Sequence, residues 1–495
     1  MIDMKNVNER RVGAFANMIW RFAERTGAQL VSFAVTMIIA RILDPQAYGT
    51  VAIISVFTTI LFVFVDSGLG NALIQKKDAD NVDFSTVFYL NIIFCIVLYL
   101  LLFACAPFIA SFYSDPQMIS LIRVSGLILI VSSVKNVQQA YVSKKMLFKK
   151  FFYATLAGTV GAAIVGIVMA LAGYGVWALV ISGLFNNIVD TFVLWITVRW
   201  RPEKVFSFER LKSLFSFGSR LLAANVIQVV YSNMYQLIIG KLYTSADLAY
   251  YDRGKQIPAL VTTNIDDSIN SVLLPVLSES QDDKKDIKGM TKRALKMNMY
   301  VMTPFLIGIA AIAEPLIKVL LTEKWLGAVV YLEIFCVYQT FRPIATANLN
   351  AIKAMGRSDL FFKLEIWKDI TGIIILLLTM KHGVLAISLG VLGHSFLGQI
   401  INTSPSKKLF DYGLWEQIKD IIPTLFLVGI MFVVVYPIKY IGLNNILILV
   451  IQVVLGMTVY ILGSSFLRIE TFYYVIDLAK DLLKRKKNEE SVIHE

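Results

Sequence analysis

Apolar stretches long enough to cross a membrane as helices recur from one end of this sequence to the other. A bilayer core of about 30 Å needs roughly 20 helical residues. Stretches of that length run approximately over 14–40, 47–65, 84–106, 118–142, 152–172, 176–198, 213–240, 246–277, 294–313, 325–350, 360–380, 383–403, 417–436 and 443–465. Backbone polar groups in hydrocarbon must be satisfied within the chain, so each stretch has to be helical. The expected fold is an all-α polytopic membrane protein with about 14 transmembrane helices. The first, eighth, tenth and eleventh stretches carry internal charge and are the least secure on hydropathy alone. The first is too long and too polar for a cleavable signal peptide. With 57% hydrophobic and 17% charged residues, the chain is neither an ordinary soluble enzyme nor a disordered one. In so apolar a chain a net charge of +12 reads as a topology signal, and no nucleic-acid partner is expected.

Basic residues test the span count independently. Alternate connections, taken with both termini, hold 31 lysines and arginines, among them Lys144, Lys145, Lys149, Lys150, Arg199 and Arg201. The other set holds six: Arg41, Lys241, Lys318, Lys324, Lys381 and Lys439. One missed span would scramble that alternation, so both termini are placed in the cytoplasm of a bacterial inner (cytoplasmic) membrane. The tail Lys484-Arg485-Lys486-Lys487 then faces anionic membrane lipids. No connection exceeds about 20 residues, and no GxxxxGK[ST] loop occurs, which leaves no room for an ATP-binding or catalytic domain. Three cysteines in apolar stretches and three scattered histidines suggest no disulfide, metal or cofactor site. No catalytic residue is expected.

An internal repeat organises the spans. Ile38-Ile39-Ala40-Arg41-Ile42-Leu43 recurs as Ile238-Ile239-Gly240-Lys241-Leu242-Tyr243, Asp66-Ser67 as Asp267-Ser268, Pro107-Phe108-Ile109 as Pro315-Leu316-Ile317, and Gly175-Val176-Trp177-Ala178 as Gly383-Val384-Leu385-Ala386. The order is kept while the offset drifts from about 200 to about 210. Six helices are thus followed by six similar ones in the same orientation, then by two more. The expected division is an N-lobe over 1–205, a C-lobe over 206–412, and two C-terminal helices with a basic tail over 413–495. Two parallel six-helix lobes would face each other across a cavity, the architecture of alternating access.

Charges inside the spans mark the candidate site, because an unpaired charge at mid-membrane costs about 2.5–3.5 kcal/mol. Arg21, Arg25 and Gln29 stack at i, i+4 and i+8 on the first helix, and Arg220 and Gln228 repeat the spacing on the seventh. Lys135-Asn136 and Arg342-Pro343 form a second related pair, and Arg253 adjoins Asp252. Guanidinium groups from two lobes suit an anion, since their planar fork binds phosphate bidentately. The alternative is that they pair with carboxylates and knit the helices together. Glu24, Asp66 and Asp267 are the nearest coupling or pairing candidates, with Asp66 and Asp267 expected at helix ends, and Asp190 and Asp266 lie close to spans. His394 reads as a packing residue. Trp195, Trp200 and Trp325 read as an interfacial belt, and Tyr231 and Tyr235 extend the Arg220–Gln228 face along a sugar path.

The segments Ala40-Arg-Ile-Leu-Asp-Pro-Gln-Ala-Tyr-Gly49, Asp66-Ser-Gly-Leu-Gly-Asn-Ala-Leu-Ile-Gln75, Gly173-Tyr-Gly-Val-Trp-Ala-Leu-Val180, Tyr250-Tyr-Asp-Arg-Gly254 and Leu274-Pro-Val-Leu-Ser278 resemble Wzx-type oligosaccharide flippases. These are polysaccharide transporters of the multidrug/oligosaccharidyl-lipid/polysaccharide (MOP) exporter superfamily, and the likeness is to the colanic- and teichuronic-acid exporter branch. The resemblance implies a fourteen-helix fold of two six-helix lobes. It implies a cargo, a polyprenyl-pyrophosphate-linked oligosaccharide turned from the cytoplasmic to the outer leaflet for cell-surface polysaccharide biosynthesis. It also implies a pyrophosphate held by cavity arginines, here Arg21 or Arg25 with Arg220. A proton or sodium ion, or removal of the sugar on the far side, is open as the energy source. The competing functions are a multidrug or small-molecule antiporter of the same superfamily and a lipid II flippase.

Overall fold

Helix boundaries fall where the sequence punctuates its apolar runs. The computed structural model describes residues 27, 29, 31–66, 69–474, 476 and 477, and among these only helices, turns and short 3-10 segments occur, with no strand. Two compact units divide between Ala249 and Tyr250.

Unit 1 contains α1 (Val31–Ile42), α2 (Pro45–Asp66), α3 (Leu69–Gln75), α4 (Asn81–Tyr113), α5 (Met118–Lys144), α6 (Phe148–Leu171), α7 (Val176–Thr197), α8 (Phe208–Leu242) and the start of α9 (Ser245–Glu279). Pro45 opens α2, a first-turn position where its missing N–H costs nothing. Asp80 caps α4 in a reciprocal box with Asp83. Within the unit α4 packs along α5, α6 along α7, and α8 against α2, α3 and α4. That packing groups α8 with unit 1.

The chain leaving α7 is pinned down. Gln138 Nε2 donates to the Trp200 carbonyl at 3.1 Å, and the Trp200 ring stacks on Tyr141 at 6.0 Å and packs on Phe84 at 5.8 Å. Asp83, fully buried, receives both of its Lys76 hydrogen bonds at 2.7 Å. Arg210, in the first turn of α8, donates to Asp80 and lies 3.4 Å from Asp83.

Unit 2 contains the rest of α9, then α10 (Lys284–Ala311), α11 (Ala313–Leu320), α12 (Val329–Thr340), α13 (Arg342–Ala354), α14 (Ser358–Thr379), α15 (Val384–Thr403), α16 (Ser406–Phe410), α17 (Leu414–Val435) and α18 (Asn445–Phe466). A buried polar knot joins α13, α16 and α17. Asn348 and Gln417 exchange amide hydrogen bonds at 2.8 and 2.9 Å, and Ser406 donates to Asn348 at 2.6 Å. The last helix is fastened to α10 by Tyr300–Ser464 and by Tyr460 donating to the Tyr300 carbonyl, both 2.7 Å.

Every expected span from the second to the fourteenth falls on helix. Among the described residues nine helices are long and apolar enough to cross a membrane. Of those that fall short, α8, α9 and α14 carry charge, and α12 and α13 are separated by a break at Phe341. Two kinds of break recur at the offset of the repeat. Gly175 and Gly383, both at positive φ, precede α7 and α15, and Asp80 and Asp283 cap α4 and α10. The Pro107–Pro315 match is looser: Pro107 lies inside α4, whereas Pro315 sits in the first turn of α11, after the helix has ended at Ala311.

Candidate functional site

The expected anion site begins on α1 and α8. Arg21, Glu24 and Arg25 lie outside the described residues. Gln29 is helical and exposed, as is Gln228 on α8. Arg220, Asp66 and Asp267 are described by backbone position: Arg220 within α8, Asp66 as the last residue of α2, and Asp267 inside α9. Asp267 is therefore not at a helix end, because α9 continues to Glu279.

In unit 1, Lys135 of α5 reaches across to α7. Its Nζ donates to Asp190 Oδ2 and Asn187 Oδ1, both at 3.1 Å. Its side chain is 13% exposed and that of Asp190 12%, so the pair is largely desolvated and neutralised within the unit. Lys135 thus joins α5 to α7.

Arg342 of unit 2 is arranged differently. It follows the α12–α13 break, and Pro343 restarts the helix in its first turn, where proline is tolerated. The Arg342 Nε contacts Asp266 Oδ2 on α9, and Thr346, one turn on, donates to Asp266 Oδ1 at 3.3 Å. One turn further along both helices Asn350 donates to Asn270 at 2.5 Å. The Asp266 side chain is 2% exposed and that of Arg342 44%. A guanidinium carries five N–H donors, so a carboxylate anchored behind it fixes its plane and leaves donors on the open side. The arrangement can hold an oxyanion against a preoriented cation.

Other charges within spans have partners of their own. Arg253 Nη1 donates to Gln256 Oε1 at 2.7 Å, and its guanidinium lies 5.7 Å from the Trp325 ring centre. Lys368 pairs with Glu365 at 2.6 Å. His394 Nε2 lies 2.9 Å from the Lys368 carbonyl, the packing role expected of it. Arg123 covers the Phe103 ring at 4.0 Å.

Two tryptophans do not form the expected belt. Trp325 is fully buried and Trp200 is 6% exposed, because both face protein at the helix ends; among the described residues Trp367 and Trp415 are the exposed ones. What the residue patterns singled out, then, is Arg342, Lys135 and Arg253. They did not single out Thr346, Asn350 or Asn270, whose only sequence signal is polarity inside a helix.

A family profile described as polysaccharide biosynthesis protein matches residues 38–330. Teichuronic acid biosynthesis protein TuaB of Bacillus subtilis (strain 168) is 26% identical over 310 residues, covering 62% of this chain and 64% of that protein. Lipopolysaccharide biosynthesis protein WzxC of Escherichia coli (strain K12) is 22% identical over 373 residues, covering 74% of each chain. Among solved structures, the lipid II flippase MurJ in an inward closed conformation aligns with TM-score 0.75 at 15% identity, over 90% of this chain and 98% of its own. An inward-facing multidrug resistance MATE transporter of the MOP superfamily aligns with TM-score 0.58 at 13% identity, over 79% and 98%. These likenesses establish the MOP-type helical fold.

Proposed function

Since the chain belongs to the polysaccharide biosynthesis protein family, we propose that it is a flippase for a polyprenyl-pyrophosphate-linked oligosaccharide. The cargo moves from the cytoplasmic to the outer leaflet by alternating access of two six-helix lobes within fourteen spans. The proposed membrane is the bacterial inner membrane, and the 31-to-6 division of basic residues supports both termini in the cytoplasm. The names of TuaB and WzxC support the cargo class, and the fold shared with MurJ supports the flipping of a lipid-linked sugar.

The observation that carries the reading is Arg342, a guanidinium inside the spans that is oriented by a buried carboxylate and open on its other side. A diphosphate and its sugars cannot enter hydrocarbon unaided, because their polar groups would go unsatisfied. The cations proposed to meet the diphosphate are Arg342 and, from the sequence, Arg25 and Arg220, while the polyprenyl tail stays among lipids. No bond is made or broken. Protonation of, or sodium binding at, a carboxylate such as Asp266 that competes for the same guanidinium would couple cargo to an ion gradient.

The test is a deletion strain whose lipid-linked oligosaccharides are assayed for leaflet, complemented by the wild type or by Arg25→Ala with Arg220→Ala. The expected result is a complete unit trapped on the cytoplasmic side, rescued by the wild type and not by a double variant inserted at normal level. Correct leaflet distribution with new sensitivity to cationic drugs would move the chain to the antiporter class.

A further inference from the structure

Unit 1 holds a second site, remote in character from the cationic one. A cavity of about 510 Å³ opens where the α1–α2, α4–α5 and α6–α7 turns meet the first residue of α9. Its polar lining is Asp44, Gln46 and Thr50, Asp115 and Gln117, and Ser245, and no lysine or arginine contributes. Gly173 and Gly175 form another part of the wall, at φ +82° and +55°, and a Cβ on either would meet nothing within 4 Å, so that stretch of wall is bare backbone.

Thr50 is the informative residue. A threonine inside a helix commonly bonds back to the carbonyl one turn earlier, as Thr159 and Thr191 do here at 2.7 and 2.6 Å. Thr50 is 7% exposed, lines the cavity, and has no hydrogen-bond partner among the described residues. Its hydroxyl therefore keeps a free donor and acceptor at the cavity wall, which a ligand there would engage.

The chemistry of the lining selects that ligand. Two carboxylates repel a phosphate. A bare cation is too small for the space, and among the described residues no group of three His, Cys, Asp or Glu side chains gathers to hold one. The volume is that of a small-molecule site, about 300–1,000 Å³. Carboxylates and carboxamides accept paired hydroxyl donors, the groups that line the edge of a sugar ring.

We infer that this cavity binds carbohydrate, one or two sugar rings of an oligosaccharide, by their hydroxyls and without their diphosphate. The inference rests on the proposed function for the sugar that arrives there, and on the charge rule for its outward position, since this end of unit 1 carries Arg41 and Lys241 against the lysine-rich opposite end. The cavity also depends on one close approach. A Cβ at Gly49 would lie 1.7 Å from the Ser245 carbonyl oxygen, so α2 and α9 touch through backbone, and Ser245 completes the lining only while they do.

The test uses full-length protein in lipid nanodiscs with Cys95, Cys105 and Cys336 replaced by alanine and Gln117→Cys as a reporter. The labelling rate of that cysteine by a maleimide is measured with three probes: the oligosaccharide released by mild acid from the host's own lipid-linked pool, inorganic pyrophosphate, and calcium chloride. Saturable, several-fold protection by the oligosaccharide alone, lost with Thr50→Val or Asp115→Asn, is the expected result. A cysteine that labels equally fast with and without oligosaccharide overturns the inference, as does protection that survives both substitutions. Protection by calcium alone makes it an ion site and also overturns it. Protection in nanodiscs together with a deletion strain of normal leaflet distribution would leave the sugar site standing and remove the flippase reading; the reverse pairing would do the opposite.

Discussion

Arg342 lies across Asp266 with the carboxylate sealed, at 2% side-chain exposure, and the guanidinium open, at 44%. The asymmetry separates this pair from Lys135–Asp190, where both members are covered to a similar degree, at 13% and 12%. A covered pair can only hold helices together. An asymmetric one keeps a cation at the edge of open space and orients it from behind. Lys135 and Arg342 stand at related places in the repeat read from the sequence, but their carboxylates come from helices that are not equivalent, α7 for Asp190 and α9 for Asp266.

Removing the open member tests that distinction. Arg342→Ala strands a buried carboxylate and should lower stability by about 3–5 kcal/mol, read as a loss of melting temperature in detergent. Adding Asp266→Asn should restore most of that stability and none of the export. Export that returns along with stability would mean that Arg342 acts only as a strut.

Lys135 should behave in the opposite way. Lys135→Met alone leaves Asp190 unpaired and should destabilise by a similar amount, about 3–5 kcal/mol. Lys135→Met with Asp190→Leu replaces both charges by apolar groups, which is often neutral for a buried pair. The double variant should therefore export normally at normal expression, measured as surface polysaccharide per flippase in the membrane. Lost export in a well-folded double variant would assign Lys135 to the cargo.

The chain between α7 and α8 gives a prediction with a pH sign. The hydrogen bond from Arg210, then that from the Asp83 backbone, holds the Asp80 carboxyl down at about 2. A depressed folded value stabilises above the unfolded value of about 3.9 and is lost as pH falls through the folded one. Deuterium uptake across 198–207, corrected for intrinsic rate, should stay flat from neutral pH to about 4 and rise between about 4 and 2. Arg210→Ala should raise uptake at neutral pH and abolish that acid step. An unchanged step in Arg210→Ala would show that another group fastens the linker.

Much of this was legible because membrane helices obey few rules. Apolar length and alternate basic connections locate the long helices from α2 to α18 but not the short α3, α11 and α16, and the repeat reaches to the glycines that precede α7 and α15. Where side chains meet was less legible. Asp266 and Asp190 are ordinary carboxylates in sequence, and only packing decides that one stands behind an arginine and the other beside a lysine. Trp200 and Trp325 sit at helix ends as belt residues do, yet they turn inward because Tyr141 and Phe84, or Tyr250 and Arg253, are there to receive them. The cavity around Thr50 is built from turns far apart in the chain, which no periodicity reports.

Gly49 offers the sharpest test of how that end of unit 1 is closed. A β-carbon there would stand 1.7 Å from the Ser245 carbonyl oxygen and 2.4 Å from its carbon, both backbone atoms that cannot rotate away. Gly49→Ala must therefore push α2 and the start of α9 apart, even though alanine is the better helix former by about 1 kcal/mol. Two effects of opposite sign compete, and backbone overlap is much the larger. With Ser245→Cys as a reporter, Gly49→Ala should speed labelling by a membrane-impermeant maleimide in intact cells and lower export. Slower labelling, or labelling equal to that with glycine at 49, would mean that the two helices are already apart in the membrane and that the close approach does not form the closed state.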